Sequence, residues 1–116
     1  MDVQIFGVKN DADVRKAERF FRERRARVHF VDFKQRAPTK GELQRFFQRF
    51  GEERLIDRGS RRFLALGLQS AYYGDDRWLE IAAEEPLILR MPLVRHGARL
   101  SVGLAEDTWK EWVAAG

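Results

Sequence analysis

The first third of the chain alternates short apolar runs with an amphipathic stretch. Residues 3–8 and 28–33 are rich in β-branched and aromatic side chains, which predicts two strands. Between them, apolar residues recur at helical spacing and leave the charged residues on the other face. These apolar positions are Val14, Ala17, Phe20 and Phe21. The order predicts a β-α-β unit whose strands pair in parallel.

A second helix is predicted by a capping pattern followed by an apolar stripe. Thr39 and Glu42 have the spacing of a capping box, and Gly51 marks the end of the periodic segment. The stripe consists of Leu43, Phe46, Phe47 and Phe50. Helical spacing of this kind favours a core role for these rings over a stacking surface for nucleic-acid bases.

The middle of the chain is predicted to be helical, and the last part to contain strands followed by a helix. Residues 55–67 indicate a basic turn that leads into a short helix. A further helix is predicted over Asp75–Glu84, where the acidic residues at its start complement the helix dipole. Strand material follows at 87–90, 92–94 and 99–102, with His96 and Gly97 predicted as the turn.

A final helix is predicted over residues 106–114, with Trp109, Trp112 and Val113 facing inward. Together the elements predict an α/β fold of thioredoxin-like architecture, with a four-stranded mixed sheet flanked by helices. The length of 116 residues suits a single domain spanning residues 1–116.

The composition excludes several kinds of site chemistry. The chain has no cysteine, which excludes disulfides, thiolate metal sites and thiol nucleophiles. Its two histidines, His29 and His96, have no partner at metal-ligand spacing, so no metal or other cofactor is expected.

The charge pattern bears on partners and location. A net charge of +4 allows a small anion as ligand, but basic and acidic residues are interleaved, which favours a solvated surface over a nucleic-acid groove. The chain has no apolar run long enough to cross a bilayer and its N-terminus starts at once on a strand pattern. We therefore expect no membrane association and a cytoplasmic location.

Three segments in order resemble the arsenate reductase (ArsC)/Spx family. Residues 6–17 read F-G-V-K-N-D-A-D-V-R-K-A, similar to the family's strand-to-helix turn, F/Y-G-I-K-N-C-D-T-V-K-K-A. Residues 55–66 are similar to the Spx-type segment after the second helix. Residues 85–94, with 100–103, resemble the pattern P-L-L-x-R-P-I-x followed by L-x-V-G-Y/F. In this register Asp11 occupies the position of the nucleophilic cysteine.

The resemblance implies that the reductase chemistry is lost. In family members that reduce arsenate, the cysteine lies at a helix N-terminus that lowers its pKa, and arginines bind the oxyanion. Asp11 cannot form a sulfur–arsenic bond or a mixed disulfide with glutathione. Three positions where the resemblance implies arginine are occupied here by Asp57, Met91 and Val102, although Arg58 and Arg90 are adjacent in sequence to the first two.

A residual cleft is nevertheless implied by the resemblance. Its candidate residues are Asn10, Asp11, Asp13, Arg58, Arg90 and Pro92. Pro92 matches a proline that is cis in thioredoxin-like folds. The alternative is that Asp11 and Asp13 only cap the first helix, while the arginines are solvated or ion-paired.

The leading hypothesis is a non-redox ArsC/Spx-type protein, a bacterial-type binding or regulatory module without reductase activity. By analogy with Spx, its partner would be a protein such as RNA polymerase. The alternative is a degenerate reductase or an anion-binding enzyme that uses the residual cleft around Asp11 and Arg90.

Overall fold

A four-stranded mixed sheet joins the two ends of the chain in the computed structural model, which describes residues 1–116. The strands are β1 (Asp2–Gly7), β2 (Arg27–Asp32), β3 (Leu93–His96) and β4 (Arg99–Val102). Their order is β2-β1-β3-β4; β1 and β2 are parallel, and the other two pairs are antiparallel. The β-α-β and β-β-α arrangement confirms the predicted thioredoxin-like α/β fold.

Six α-helices lie between and after the strands. They are α1 (Ala12–Glu23), α2 (Lys40–Phe50), α3 (Glu52–Leu55), α4 (Arg61–Ala65), α5 (Asp75–Glu84) and α6 (Glu106–Ala115). The residues form two compact units, the first from Met1–Gln35 and Met91–Gly116, and the second from Arg36–Arg90. No helix is both long enough and apolar enough to cross a membrane.

In the first unit, α1 and α6 cover one face of the sheet. The core between them contains Val3, Ile5, Val14, Ala17, Phe20, Phe21, Val94, Trp109 and Trp112. Both tryptophans were predicted to face inward, and Val113 packs against the same cluster. The indole nitrogen Nε1 of Trp109 donates to Oγ of buried Ser101 at 2.8 Å, which satisfies both polar groups.

Gly7 lies where β1 approaches α1. A Cβ atom at this position would be 2.5 Å from Cγ2 of Val14 and 3.7 Å from Cβ of Met91. Val14 is fully buried and β-branched, so its side chain has little freedom to move away. The close approach of the strand to the helix therefore requires glycine.

In the second unit, the predicted capping box starts α2. The Glu42 amide donates to Oγ1 of Thr39 at 3.0 Å, and the Thr39 amide donates to Oε1 of Glu42 at 2.9 Å. Leu43, Phe46 and Phe47 of the predicted stripe are buried. Glu42 also accepts two 3.0 Å hydrogen bonds from the guanidinium of Arg36, which hold the pKa of the carboxyl below its usual range.

The prediction of a strand over residues 87–90 is wrong. Pro86–Ile88 forms a 3-10 helix, and only Leu89 makes an isolated antiparallel bridge, with Ile56. Pro86 lies at the first position of this helix, where its fixed φ angle suits a helical turn and its missing N–H costs nothing. The short helix α3 was not predicted.

His96 is not a turn residue, contrary to the sequence-based prediction. It is the last residue of β3 and pairs with Arg99, while Gly97 and Ala98 make the two-residue turn. Gly97 has a φ of 60°, which favours glycine. His96 Nδ1 also donates to the carbonyl of Asp2 in β1 at 2.9 Å.

Candidate functional site

The turn between β1 and α1 holds the first three predicted site residues. Asp11 is the N-cap of α1, with extended backbone at φ −78° and ψ 130°, and its Oδ1 accepts from the amide of Val14 at 2.9 Å. Asp13 lies in the first helical turn, where its charge complements the helix dipole, and Asn10 is exposed before the cap. Capping therefore accounts for Asp11, and the helix dipole for Asp13.

Pro92 lies beside this turn in the first unit. The Met91–Pro92 peptide bond is cis, as the resemblance implied, and the Pro92 carbonyl accepts from the amide of Gly103 at 2.8 Å. Met91 and Val14 both approach Gly7, so the loop before β3 and the start of α1 lie together. The structure thus brings Pro92 close to the helix that Asp11 caps.

Arg58 belongs to the second unit and is held there by backbone and aromatic contacts. Its Nη2 donates to the carbonyls of Gln69 and Ala71 at 3.0 and 3.1 Å. The guanidinium carbon lies 4.9 Å from the ring centre of Phe63 and 4.5 Å from that of Tyr72, both cation–π distances. This residue organises the loop that follows α4.

Arg90, also in the second unit, is anchored through one nitrogen. Its Nε donates to the carbonyl of Arg54 at 2.9 Å, and its backbone amide donates to the carbonyl of Leu55 at 2.7 Å. The terminal nitrogens of this exposed guanidinium donate to no protein acceptor.

Three further charged residues of this unit, Asp57, Arg62 and Glu85, have local partners. Oδ1 of Asp57 accepts from the amide of Gly59 at 3.1 Å, closing a turn before α4. Arg62 and Glu85 form a bidentate pair with two 2.8 Å hydrogen bonds, which lower the pKa of the Glu85 carboxyl. No group of three or more histidine, aspartate or glutamate side chains is arranged to hold a metal ion.

Sequence reasoning missed the aromatic setting of Arg58. Tyr72 is 81% exposed, although it lies against the Arg58 guanidinium, and Leu64 and Leu66 are exposed in the same unit. The sequence signal for this aromatic setting was the run of residues 63–74, which contains two tyrosines and no acidic or basic residue. A contiguous patch of exposed aromatic and aliphatic side chains is typical of interaction surfaces, whereas single exposed apolar side chains are ordinary on protein surfaces.

Comparison with known proteins identifies the family and the fold. The chain is 24% identical over 101 residues to the uncharacterized protein YusI of Bacillus subtilis, with 84% of this chain and 86% of the relative covered. Among solved structures, it is similar to a protein named YFFB, with a TM-score of 0.85 and 22% identity over 94% of this chain and 96% of that one.

It is also similar to the arsenate reductase from Vibrio cholerae, with a TM-score of 0.81 and 18% identity over 96% of this chain and 97% of that chain. These two structural likenesses establish the fold. The model of the ArsC family matches residues 6–112, nearly the whole chain. The chain therefore belongs to the ArsC family, as a member that lacks cysteine.

Proposed function

We propose that the protein is a non-redox member of the ArsC family, a binding or regulatory module that does not reduce arsenate. One observation carries the proposal. Asp11 stands at the position that the resemblance assigns to the nucleophilic cysteine, and its carboxylate caps α1 through a 2.9 Å hydrogen bond from the Val14 amide. With no cysteine anywhere in the chain, no sulfur is available to attack arsenic or to join glutathione.

The electrostatics of this turn support the same proposal. The N-terminus of a helix attracts anions through its exposed amides and its dipole. In this chain the anion is already part of the protein, because Asp11 accepts from the third amide of α1 and Asp13 adds a second acidic group in the first turn. An incoming arsenate would be repelled by both carboxylates.

The contacts of two arginines in the second unit support the proposal that this chain lacks the oxyanion-binding site of the reductases. Arg58 donates to two backbone carbonyls and Arg90 to one, so each is committed in part to holding its own loop. Asp57 uses its carboxylate to close a turn. These residues have structural roles that do not depend on an arsenate ligand.

An arsenate reduction assay with glutathione and glutaredoxin tests the catalytic half of the proposal. We expect no arsenite formation above a protein-free control, because no sulfur nucleophile is present and the Asp11 carboxylate already accepts from an amide at the N-terminus of α1. A known arsenate reductase in the same mixture is the positive control.

Turnover above background would contradict the proposal. Asp11→Asn and Asp13→Asn form a matched pair in that case, since both remove one carboxylate from the same turn. Loss of turnover only in Asp11→Asn would assign the activity to the residual cleft.

The binding half of the proposal concerns a protein partner. By analogy with Spx, the partner proposed is RNA polymerase, which implies a cytoplasmic location. The surface proposed for it consists of Leu64, Leu66 and Tyr72, because these exposed apolar side chains lie in one unit and tyrosine is enriched in binding hot spots.

Binding of the purified protein to purified bacterial RNA polymerase, measured by biolayer interferometry, tests this partner. We expect Tyr72→Ala to weaken binding about tenfold or more, because truncating an aromatic anchor removes much of the contact energy. Leu104→Ala is the control, since Leu104 is an exposed apolar residue of the first unit. No measurable binding by the unsubstituted protein, or equal loss in both variants, would contradict the proposal.

An anion-binding enzyme is the second candidate function. It is favoured by Arg90, whose terminal guanidinium nitrogens donate to no protein acceptor and remain able to fork onto an oxyanion. The contact of Asp11 counts against it, because the carboxylate that would act as base already accepts a hydrogen bond from the amide of Val14.

A further inference from the structure

A row of polar side chains crosses three neighbouring strands of the first unit. Gln4 of β1 pairs in register with His29 of β2 and with Arg95 of β3. Side chains in register project from the same face of a sheet, and neighbours along a strand project from opposite faces. Because Val3 and Ile5 belong to the core formed with α1 and α6, the polar row lies on the face turned away from those helices.

The three side chains line a cavity. The cavity is open to solvent and has a volume of about 300 Å³, and Asp2, Val3 and Gly97 complete its lining. It lies at the start of β1, whereas Asp11 follows the end of that strand. The cavity is thus separate from the turn on which the proposed function rests.

Each side chain of the row has hydrogen-bonding capacity that the protein does not use. Nε of Arg95 donates to the carbonyl of Gly97 at 2.9 Å, which orients the guanidinium, and its terminal nitrogens have no acceptor in the protein. The carboxamide of Gln4 and the ring of His29 make no hydrogen bond within the protein. Since adjacent strands are about 4.8 Å apart, the backbones that carry the row span roughly 10 Å.

The charges around the cavity favour a monoanion. Arg27 and Asp2 approach to 3.8 Å between Nε and Oδ1, and their charges sum to zero. Arg95 is the one arginine of the lining, while the Asp2 carboxylate in the lining opposes a second negative charge on a ligand. The guanidinium fork matches the planar geometry of a carboxylate, which can accept two parallel hydrogen bonds.

We propose that this cavity binds a small organic monocarboxylate, with the guanidinium of Arg95 as the principal anchor. Gln4 on the adjacent strand β1 and His29 on β2, the next strand along the sheet, supply further hydrogen-bond donors. The role is independent of Asp11 and of any partner of the second unit.

Titration of the ¹⁵N-labelled protein with sodium acetate, followed by NMR chemical shifts of the backbone amides, tests the proposal. Parallel titrations use sodium phosphate and sodium chloride at matched ionic strength. We expect saturable shifts at Gln4, His29 and Arg95 with acetate, and weaker binding of phosphate.

Two arginine variants distinguish specific binding in the cavity from a general effect of positive charge. Arg95→Gln is expected to weaken acetate binding about tenfold or more, since a charge-assisted bidentate contact is lost. Arg99→Gln removes the same charge from an exposed position of β4 and should leave the affinity unchanged. His29→Ala, at an exposed strand position, gives a second test if Arg95→Gln fails to fold, and should also weaken binding.

Three results would overturn the proposal. One is an acetate titration whose shifts are linear and match those of chloride. Another is tighter binding of phosphate than of acetate, which would indicate a general anion site. The third is equal affinity in the unsubstituted protein and in a folded Arg95→Gln or His29→Ala variant.

Discussion

At the scale of single residues, Asp11 replaces a potential ligand site with an intramolecular contact. The first turn of a helix has amides without intrahelical acceptors, and one of these amides, that of Val14, donates to Asp11 itself. A cysteine at this position would leave that amide to stabilise a thiolate or a bound oxyanion. The substitution therefore removes the nucleophile and one anion donor together.

Substitution of Gly7 tests the packing between β1 and α1. We expect Gly7→Ala to lower the free energy of unfolding by about 1–3 kcal/mol, because the new methyl group would lie 2.5 Å from Cγ2 of buried Val14. Urea denaturation followed by circular dichroism measures the change.

Gly41→Ala is the matched control for that measurement. Gly41 lies within α2, and a Cβ there would meet only Oγ1 of Thr39, at an ordinary 3.9 Å. Alanine should be neutral or stabilising at this helical position, by up to about 1 kcal/mol. Equal stability of Gly7→Ala and the unsubstituted protein would show that β1 and α1 can separate without cost.

At the scale of elements, the start of α2 combines a capping box with an ion pair. The two hydrogen bonds from Arg36 and the amide of Thr39 all favour the ionised form of Glu42, which is why its pKa is lowered. A carboxyl whose pKa is lower in the folded protein contributes stability above its unfolded-state pKa. That contribution is lost as the pH falls through the folded-state value.

Glu42→Gln isolates the charged part of this contribution, because glutamine can still complete a capping box. At neutral pH we expect a loss of unfolding free energy below about 1 kcal/mol, since the Arg36 side chain is 48% exposed and solvent screens the pair. The difference from the unsubstituted protein should shrink as the pH falls below the ordinary glutamate value of 4.5. Urea denaturation at a series of pH values measures it.

Glu53→Gln provides the comparison, since this exposed carboxylate of α3 makes no hydrogen bond in the protein. Its substitution should change the stability little at any pH. If the deficit of Glu42→Gln stayed constant down to acidic pH, the Arg36 pair would not be the source of the stabilisation.

Helix starts that depend on neighbours in sequence were predicted well, whereas one apolar run without a partner strand was predicted as a strand and is not one. The cap at Thr39 and the acidic start of α5 are local signals, and both helices begin where these signals indicate. The run Leu87–Ile88–Leu89 has the composition of a strand, yet only Leu89 finds a bridging partner, at Ile56. Strand character requires a partner strand, which composition alone does not provide.

At the scale of the whole molecule, the sequence predicted the thioredoxin-like fold and family, because the pattern of elements and three motif segments agree. It also placed Asp11 and Pro92 in a common region, and the cis peptide before Pro92 is confirmed. A joint role for Arg58 and Arg90 in the predicted cleft remains a prediction. The polar row of Gln4, His29 and Arg95 could not be predicted from the sequence, because these residues are brought together only by the register of the strands.

The central position of β1 has a consequence for how the chain is made. During synthesis, β1 can pair with β2 early, but its other edge pairs with β3, which begins only at Leu93. Until that segment leaves the ribosome, the nascent sheet exposes a strand edge of buried-type residues such as Ile5 and Phe6, open to pairing with other chains. The segment that begins at Leu93 thus completes the sheet and also closes an aggregation-prone edge.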